Sequence, residues 1–306
     1  MKLDTSQGDL LAGFKLPAAT ARILKFAGEI AEAPPERPDF LHTVLCQVGL
    51  PRSATPERRF ERTNGKASLL LEAGSLWSGS EWVDQPLPSG TRPRLALVHI
   101  SSEAVLKKSA VVDVGSSLHG FMTRLGIGTN GREYKNFRQQ MGALSACRMT
   151  LGYGNSTIDA KPIERFSTWS NPDGDSKLDP GVIELTSKFY ESLREQAVPL
   201  DPRALAALQK SALALDLYTW LSHRLHRVSR TTGDRVTWKN LREQFGQEYT
   251  APKSFKRNVI TSLRSVRAVY PDARIEEVSG GFILLPSRPP VPKMLVQVKE
   301  IAAQGA

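Results

Sequence analysis

The chain has 306 residues, with 41 Lys and Arg against 31 Asp and Glu, a net charge of +10 and a pI of about 9.7. That length suits about two domains with a sizeable core, and the basic balance favours a polyanionic partner over an acidic or neutral one. No apolar run reaches the roughly 20 residues that span a bilayer, Leu10-Leu11 is too short for a signal peptide, and two distant cysteines, Cys46 and Cys147, exclude a disulfide framework or zinc knuckle, so a cytoplasmic protein without membrane association is expected.

Taken in order, residues 1–37 read as a flexible tail, broken by Pro34-Pro35-Glu-Arg-Pro38, with enough apolar residues (Leu10, Leu11, Phe14, Ile23, Leu24, Phe26) for a short docking helix. Residues 38–90 read as an extension with a β-hairpin, because Asn64-Gly65 separates Phe60–Thr63 from Lys66–Leu71 and Asn-Gly is a strong two-residue hairpin turn. Trp77 and Trp82 follow in Gly/Ser-rich sequence; they suit base stacking or, in the expected role, packing on a neighbouring domain. Residues 91–169 give a helix (Leu95 to Leu106), a strand (Val111 to Val114), a helix capped at Ser116-Ser117 and closed by Gly126, then a helix from Arg132 to Cys147. Arg148–Tyr153 and Ile163–Trp169 are expected to pair after it. Residues 170–180 are polar and rich in turn formers, and read as an inter-domain linker.

Residues 181–290 repeat that order more clearly. After a lead-in element and a helix capped by Asp201 with Pro202 at its first position, Leu217, Trp220, Leu221 and Leu225 mark a long core helix. Arg235-Val236 is extended, Thr237 caps a helix ended by Gly246, and Pro252 opens a third helix that stops at Pro271. Ala273–Val278 and Phe282–Leu285 flank the turn Ser279-Gly280-Gly281. Helix, strand, helix, helix, hairpin is the winged-helix order, so the expected fold is α+β, mainly helical, with two tandem winged-helix domains and a hairpin-bearing N-terminal extension. Residues 291–306 read as a C-terminal tail behind the stiff Pro289-Pro-Val-Pro292.

The third helix of the second domain carries the chemistry. Phe255, Val259, Leu263, Val266 and Tyr270 form its apolar face, and Lys253, Lys256, Arg257, Arg264 and Arg267 fall within an arc of roughly 100° beside it. Between Lys253 and Arg274 there are six basic residues and one acid, Asp272. A cationic stripe opposite a buried face suits a phosphate backbone, and Arg257 and Asn258 suit bidentate contacts to guanine and adenine edges. Ser254 and Thr261 add hydroxyl donors on the same surface. In the first domain Arg132, Lys135, Arg138 and Gln139 form the corresponding polar face. The other reading of both helices is a solvated amphipathic surface. Ile260 intrudes on the basic face, and Glu276 and Glu277 on the wing repel phosphate, so the third helix is the stronger DNA contact.

Several segments resemble the plasmid-encoded replication initiator (Rep) family. They are Phe40-Leu-His-Thr-Val-Leu-Cys-Gln-Val-Gly-Leu50, Ser68-Leu-Leu-Leu-Glu-Ala-Gly74, Phe121-Met-Thr-Arg-Leu-Gly126, Ala197-Val-Pro-Leu-Asp-Pro-Arg203, Ala214-Leu-Asp-Leu-Tyr-Thr-Trp-Leu-Ser-His-Arg-Leu225, Tyr270-Pro-Asp-Ala-Arg274 and Gly281-Phe282. The resemblance spans roughly residues 38–290. It implies two winged-helix domains, binding to repeats (iterons) in duplex origin DNA, opening of a neighbouring AT-rich segment, recruitment of host replicative helicase machinery, and a bacterial, plasmid- or nucleoid-associated location. It also implies a homodimer through the first winged-helix domain and repression of the protein's own promoter. Separately, Gln7-Gly-Asp-Leu-Leu11 resembles the short peptide by which bacterial replication proteins bind the sliding clamp, although a capped helix start is the favoured reading of so short a match.

No catalytic constellation stands out. His223 and His226 are i, i+3 on a helix but lack a nearby Cys pair or acidic cluster, so no metal is expected. Gly126-Ile-Gly128 and Gly152-Tyr-Gly154 are not followed by Gly-Lys-Ser/Thr, Asp173 and Asp175 sit in a turn-rich stretch, and no His-hydrophobic-His pair accompanies a tyrosine. A non-enzymatic initiator without cofactor is the leading reading, and a winged-helix regulator acting only as a repressor is the alternative.

Overall fold

A computed structural model describes residues 16–159, 161–163, 165–167 and 181–292. In chain order the elements are α1 (Ala18–Glu32), β1 (Asp39–His42), α2 (Thr43–Gln47), β2 (Arg59–Asn64), β3 (Ala67–Glu72), β4 (Ser75–Trp77), β5 (Trp82–Asp84) and α3 (Thr91–Lys107). Then come β6 (Val111–Gly115), α4 (Leu118–Arg124), α5 (Gly131–Ala146), β7 (Arg148–Tyr153), β8 (Ser156–Asp159), β9 (Arg165–Ser167), β10 (Gly181–Glu184), α6 (Ser187–Gln196) and β11 (Ala197–Leu200). The chain ends with α7 (Pro202–Leu208), α8 (Ala212–Arg224), a single 3-10 turn at Leu225–Arg227, β12 (Asp234–Thr237), α9 (Trp238–Phe245), α10 (Pro252–Val269), β13 (Ile275–Val278) and β14 (Gly281–Leu284). The α+β class is as expected.

Two helices are buried on nearly every side, α3 from Pro93 to Ala104 and α8 from Leu213 to His223. A helix covered all round must be wrapped by other elements, and each is the centre of one half of the molecule. Around α8, the short strand β12 pairs with β14 and β14 with β13, giving the order β12-β14-β13. Gly281 permits this closure, because a Cβ there would lie 2.1 Å from the carbonyl oxygen of Val236. Around α3 the matching sheet has the order β6-β10-β9.

That first sheet corrects two expectations. Arg148–Tyr153 does not pair with Ile163–Trp169; β7 pairs with β3 and with β8, completing a four-stranded sheet β2-β3-β7-β8, while β9 pairs with β10. The stretch 170–180, expected as a linker, therefore lies between two paired strands of one sheet, and the first half extends through Glu184. Residues 168–180 themselves lie outside the described residues; a polar, turn-rich composition does not by itself show whether its flanking segments pair.

The halves are joined through the core. Strand β1 pairs with β11 in register Asp39↔Leu200 to His42↔Ala197, and α2 packs on α8. Arg94 of α3 donates to Asp216 of α8 through Nε (2.7 Å) and Nη2 (2.9 Å), and also to the carbonyls of Leu50, Pro51 and Gly90. Gly49 fits beside this pair because a Cβ would fall 2.5 Å from the Asp216 carboxylate. Residues 18–32, expected within a flexible tail, are helical; Ile23, Phe26 and Ile30 pack on the core, and Arg203 Nη1 donates to the Glu29 carbonyl (2.8 Å). Apolar residues at helical spacing outweighed the nearby prolines.

Candidate nucleic-acid interface

The second half builds its interface on α10. Pro252 occupies the first turn, where its missing N–H costs nothing, and an 18-residue helix follows with Phe255, Val259, Leu263, Val266 and Val269 buried. Burying that face turns the opposite one outward. Lys253, Lys256, Arg257, Thr261, Arg264 and Arg267 are all exposed, whereas Ser254 and Asn258 are half-buried toward the flank. Among the described residues, no acid lies within ion-pair distance of Lys253, Lys256, Arg257, Arg264 or Arg267, so their field is not cancelled locally. Ile260, at odds with the cationic stripe, is half-buried and packs against the core.

Helix α9 contributes cations that sequence reasoning missed. Thr237 caps α9: its Oγ1 accepts from Asn240 N (3.1 Å) and Asn240 Oδ1 accepts from Thr237 N (3.2 Å). This fixes Trp238, whose ring stacks edge-on against Phe255 and Phe282 and carries Lys256 Nζ 5.3 Å above its centre. Lys239 and Arg242 lie on the exposed side of α9 and share with Lys256 and Tyr249 a groove of about 500 Å³ beside the start of α10. Their i, i+3 spacing was the available signal. The first turn of α10 has no acid and no side-chain cap on its amides, a favourable setting for an anionic oxygen. On the hairpin, Glu276 and Glu277 are exposed, and Arg235 Nη2 donates to the Ser279 carbonyl (2.6 Å), tying strand β12 to the tip.

In the first half, α5 is capped by Asn130, whose side chain accepts from Glu133 N, and buries Phe137, Met141 and Leu144. Arg132, Lys135, Arg138 and Gln139 are exposed, and among the described residues none of the three cations meets an acid, since Glu133 is taken by Arg92. The two cationic helices are thus separate surfaces, one on each half.

The histidines do not form a metal centre. His223 is buried, with its pKa pushed down to about 3 by burial, and His226 Nδ1 lies 3.0 Å from the Ser222 carbonyl. Among the described residues no group of three or more His, Cys, Asp or Glu could hold a metal, and no helix is long and apolar enough to cross a membrane. Both cysteines are buried free thiols whose pKa values burial pushes up.

The sequence pattern of the plasmid encoded RepA protein family matches residues 87–240, half of the chain, from the approach to α3 to the first turn of α9. The chain belongs to this family of plasmid-encoded replication initiators. The family resemblance read from the motifs is borne out, although α10 lies beyond the matched residues. Among solved structures, domains 2 and 3 of RctB are similar with a TM-score of 0.46 and 14% identity over 72% of this chain and 82% of that one. Selenomethionine derivatives of the same two RctB domains give 0.48 and 13% identity over 80% and 99%. No curated protein matches in sequence.

Proposed function

We propose that this RepA-family chain is a plasmid replication initiator that binds repeated sequences in duplex origin DNA through two winged-helix units, one centred on α3–α5 with β6, β9 and β10, the other on α8–α10 with β12–β14. The observation that carries this is the face of α10: five cations without acidic partners among the described residues, backed by a buried apolar face and set beside a three-stranded sheet. Arg257 reads a base edge, while Lys253, Lys256, Arg264 and Arg267 hold phosphates, joined by Lys239 and Arg242. Ser254, Asn258 and Thr261 serve the flanks, and Arg132, Lys135, Arg138 and Gln139 form the second DNA face. Binding opens an adjacent AT-rich segment and brings in host helicase machinery; the chain itself performs no covalent chemistry and needs no cofactor. Dimerisation through the first unit and a cytoplasmic, nucleoid-associated location belong to the same reading. The clamp-like peptide Gln7–Leu11 lies outside the described residues.

The test is a footprint of the purified chain on its parent plasmid. Protection of direct repeats beside an AT-rich tract is expected, whereas protection of one promoter operator with no repeats would leave only the repressor. Incubation with supercoiled origin plasmid and Mg²⁺ should leave the plasmid intact, and nicking would overturn the non-enzymatic part.

A further inference from the structure

The hairpin β4–β5 is a surface feature that the duplex-binding reading does not use. Trp77 and Trp82 stand directly opposite each other across it, with ring centres 5.5 Å apart and planes at 60°. They are 56% and 70% exposed, so the expected packing on a neighbouring domain does not occur. Most large aromatics in a soluble protein bury their rings, and two adjacent exposed indoles need an explanation. The hairpin tip is closed by hydrogen bonds. Ser78 N donates to the Glu81 carbonyl (2.9 Å), Glu81 N donates to Ser78 Oγ (3.1 Å), and Gly79 supplies a positive φ of 103° at the tip.

Its base is seated on α5. A Cβ at Gly142 would meet Gln85 Oε1 at 3.1 Å and Leu76 Cδ1 at 3.6 Å. Gly142 follows Lys135 and Arg138 at i+7 and i+4, so the hairpin rises from the end of the cationic face of α5, about one helical turn beyond Arg138. Leu76 and Val83 face that helix side, and the tryptophans look outward on the same face as Ser75 and Asp84. The Asp84 charge is met there by Arg58, which is itself half-exposed, and by the Ser75 hydroxyl; Glu81 is the remaining exposed acid.

We propose that the Trp77–Trp82 pair is a stacking platform for unpaired bases of single-stranded DNA whose sugar-phosphate chain continues from the α5 face. Two features select this occupant. The two indoles expose about 300 Å² together, well below the roughly 800 Å² per partner of a stable protein interface, yet enough for one or two bases. On the supporting helix, Arg138 and Lys135 lie about one and two turns before the seat of the hairpin, with exposed Gln139 between it and Arg138, and neither cation meets an acid among the described residues; such a face suits a phosphate chain and not an apolar peptide. Bases inside a duplex have their faces covered, so stacking requires an unpaired segment. This rests on the reading of α5 as a DNA-facing helix.

The full chain and its Trp77→Ala/Trp82→Ala variant are titrated by fluorescence anisotropy into labelled 15-nucleotide oligo(dT) and into a duplex of equal length. Loss of oligo(dT) affinity by about tenfold or more, with duplex affinity within about twofold, is expected. Trp77→Phe/Trp82→Phe should retain most of the single-strand affinity. If the double variant misfolds by circular dichroism, Trp82→Ala alone carries the comparison. Unchanged oligo(dT) binding, or equal loss on oligo and duplex, overturns the platform. So does a wild-type dimer that becomes monomeric in the variant with oligo binding intact, which would give the face to a second copy. Lys135→Ala/Arg138→Ala separates the two ideas: unchanged duplex binding there sinks the α5 reading, whatever the tryptophans do.

Discussion

The α3 and α8 halves run through the same elements but close their sheets differently. From α10 the chain passes directly into β13 and β14, and the hairpin returns to pair with β12. From α5 it first makes β7 and β8, which leave to extend the β2–β3 hairpin, and only then supplies β9 and β10 to close on β6. The order of the closing sheet, first strand beside last, survives the detour. Pairing, and not chain continuity, therefore defines the unit, and an inserted hairpin can be used elsewhere without loss of closure. The cationic helices differ too. The exposed cations of α10 meet no acid among the described residues, while the last turns of α5 carry the base of a second hairpin.

The strongest way to break the comparison is at the joint between the halves. Asp216→Ala would leave the Arg94 guanidinium buried without its carboxylate, and removal of one partner from a buried pair costs about 3–5 kcal/mol. Urea unfolding should register that loss. Hydrogen exchange should then rise in α3 and α8 together, because the pair links them; a rise confined to α8 would mean that the halves are energetically independent.

How much of this was legible depends on the range of the interactions. Thr237 with Asn240, Asp201 with Pro202, Pro252 and the 279–281 turn are local signals, and each lies where its neighbours in sequence predict. The buried face of α10 was likewise plain from its period. By contrast, nothing in the sequence around Arg94 points to Asp216, its partner 122 residues away. Four-residue strands such as β1 and β11 carry too little pattern to announce a pairing across the molecule, and β9 could not be matched to β10 through a polar stretch that looks like a linker. The exposure of Trp77 and Trp82 was illegible for a related reason: aromatic residues default to cores, and only the fold shows which ones find no cover.

On DNA, the comparison predicts unequal roles. Arg257 is exposed near the start of α10, and Arg257→Ala should cost about 1–3 kcal/mol on the cognate repeat while relaxing preference at one base position. Binding to a panel of single-base variants of the repeat reads this directly. Equal weakening on cognate and random duplex would reduce Arg257 to a phosphate contact.

A smaller effect tests the β1–β11 joint through pH. Burial raises the Asp39 carboxyl on β1 to about 6 against an ordinary 3.8, with the Ser102 hydrogen bond and Arg37 opposing the shift. The folded state therefore holds this proton more tightly than the unfolded chain does, and its contribution to stability falls as pH rises from about 4 to about 6. Asp39→Asn keeps a side chain able to bond Ser102 and removes the ionisation. The variant should gain on the wild type across that window and hold a constant advantage above it. A stability difference independent of pH would show that Asp39 does not titrate at the β1–β11 joint.

The finest comparison concerns counterions. If α5 and α10 both lie on phosphates, neutralising one contacting cation on either helix should lower the magnitude of the log–log salt slope by about 0.9 on any duplex. Lys253→Ala and Arg264→Ala probe α10, and Lys135→Ala probes α5; all three side chains are exposed and have no ion-pair partner among the described residues, so each substitution removes charge without freeing an acid. Because β1–β11 pairing and the Arg94–Asp216 pair hold the halves together, both helices should act on one DNA segment at once, and the α5 and α10 changes should add in a combined variant. An unchanged slope for Lys135→Ala with a reduced one for Lys253→Ala would assign DNA to the second half alone and leave the α5 face to another partner.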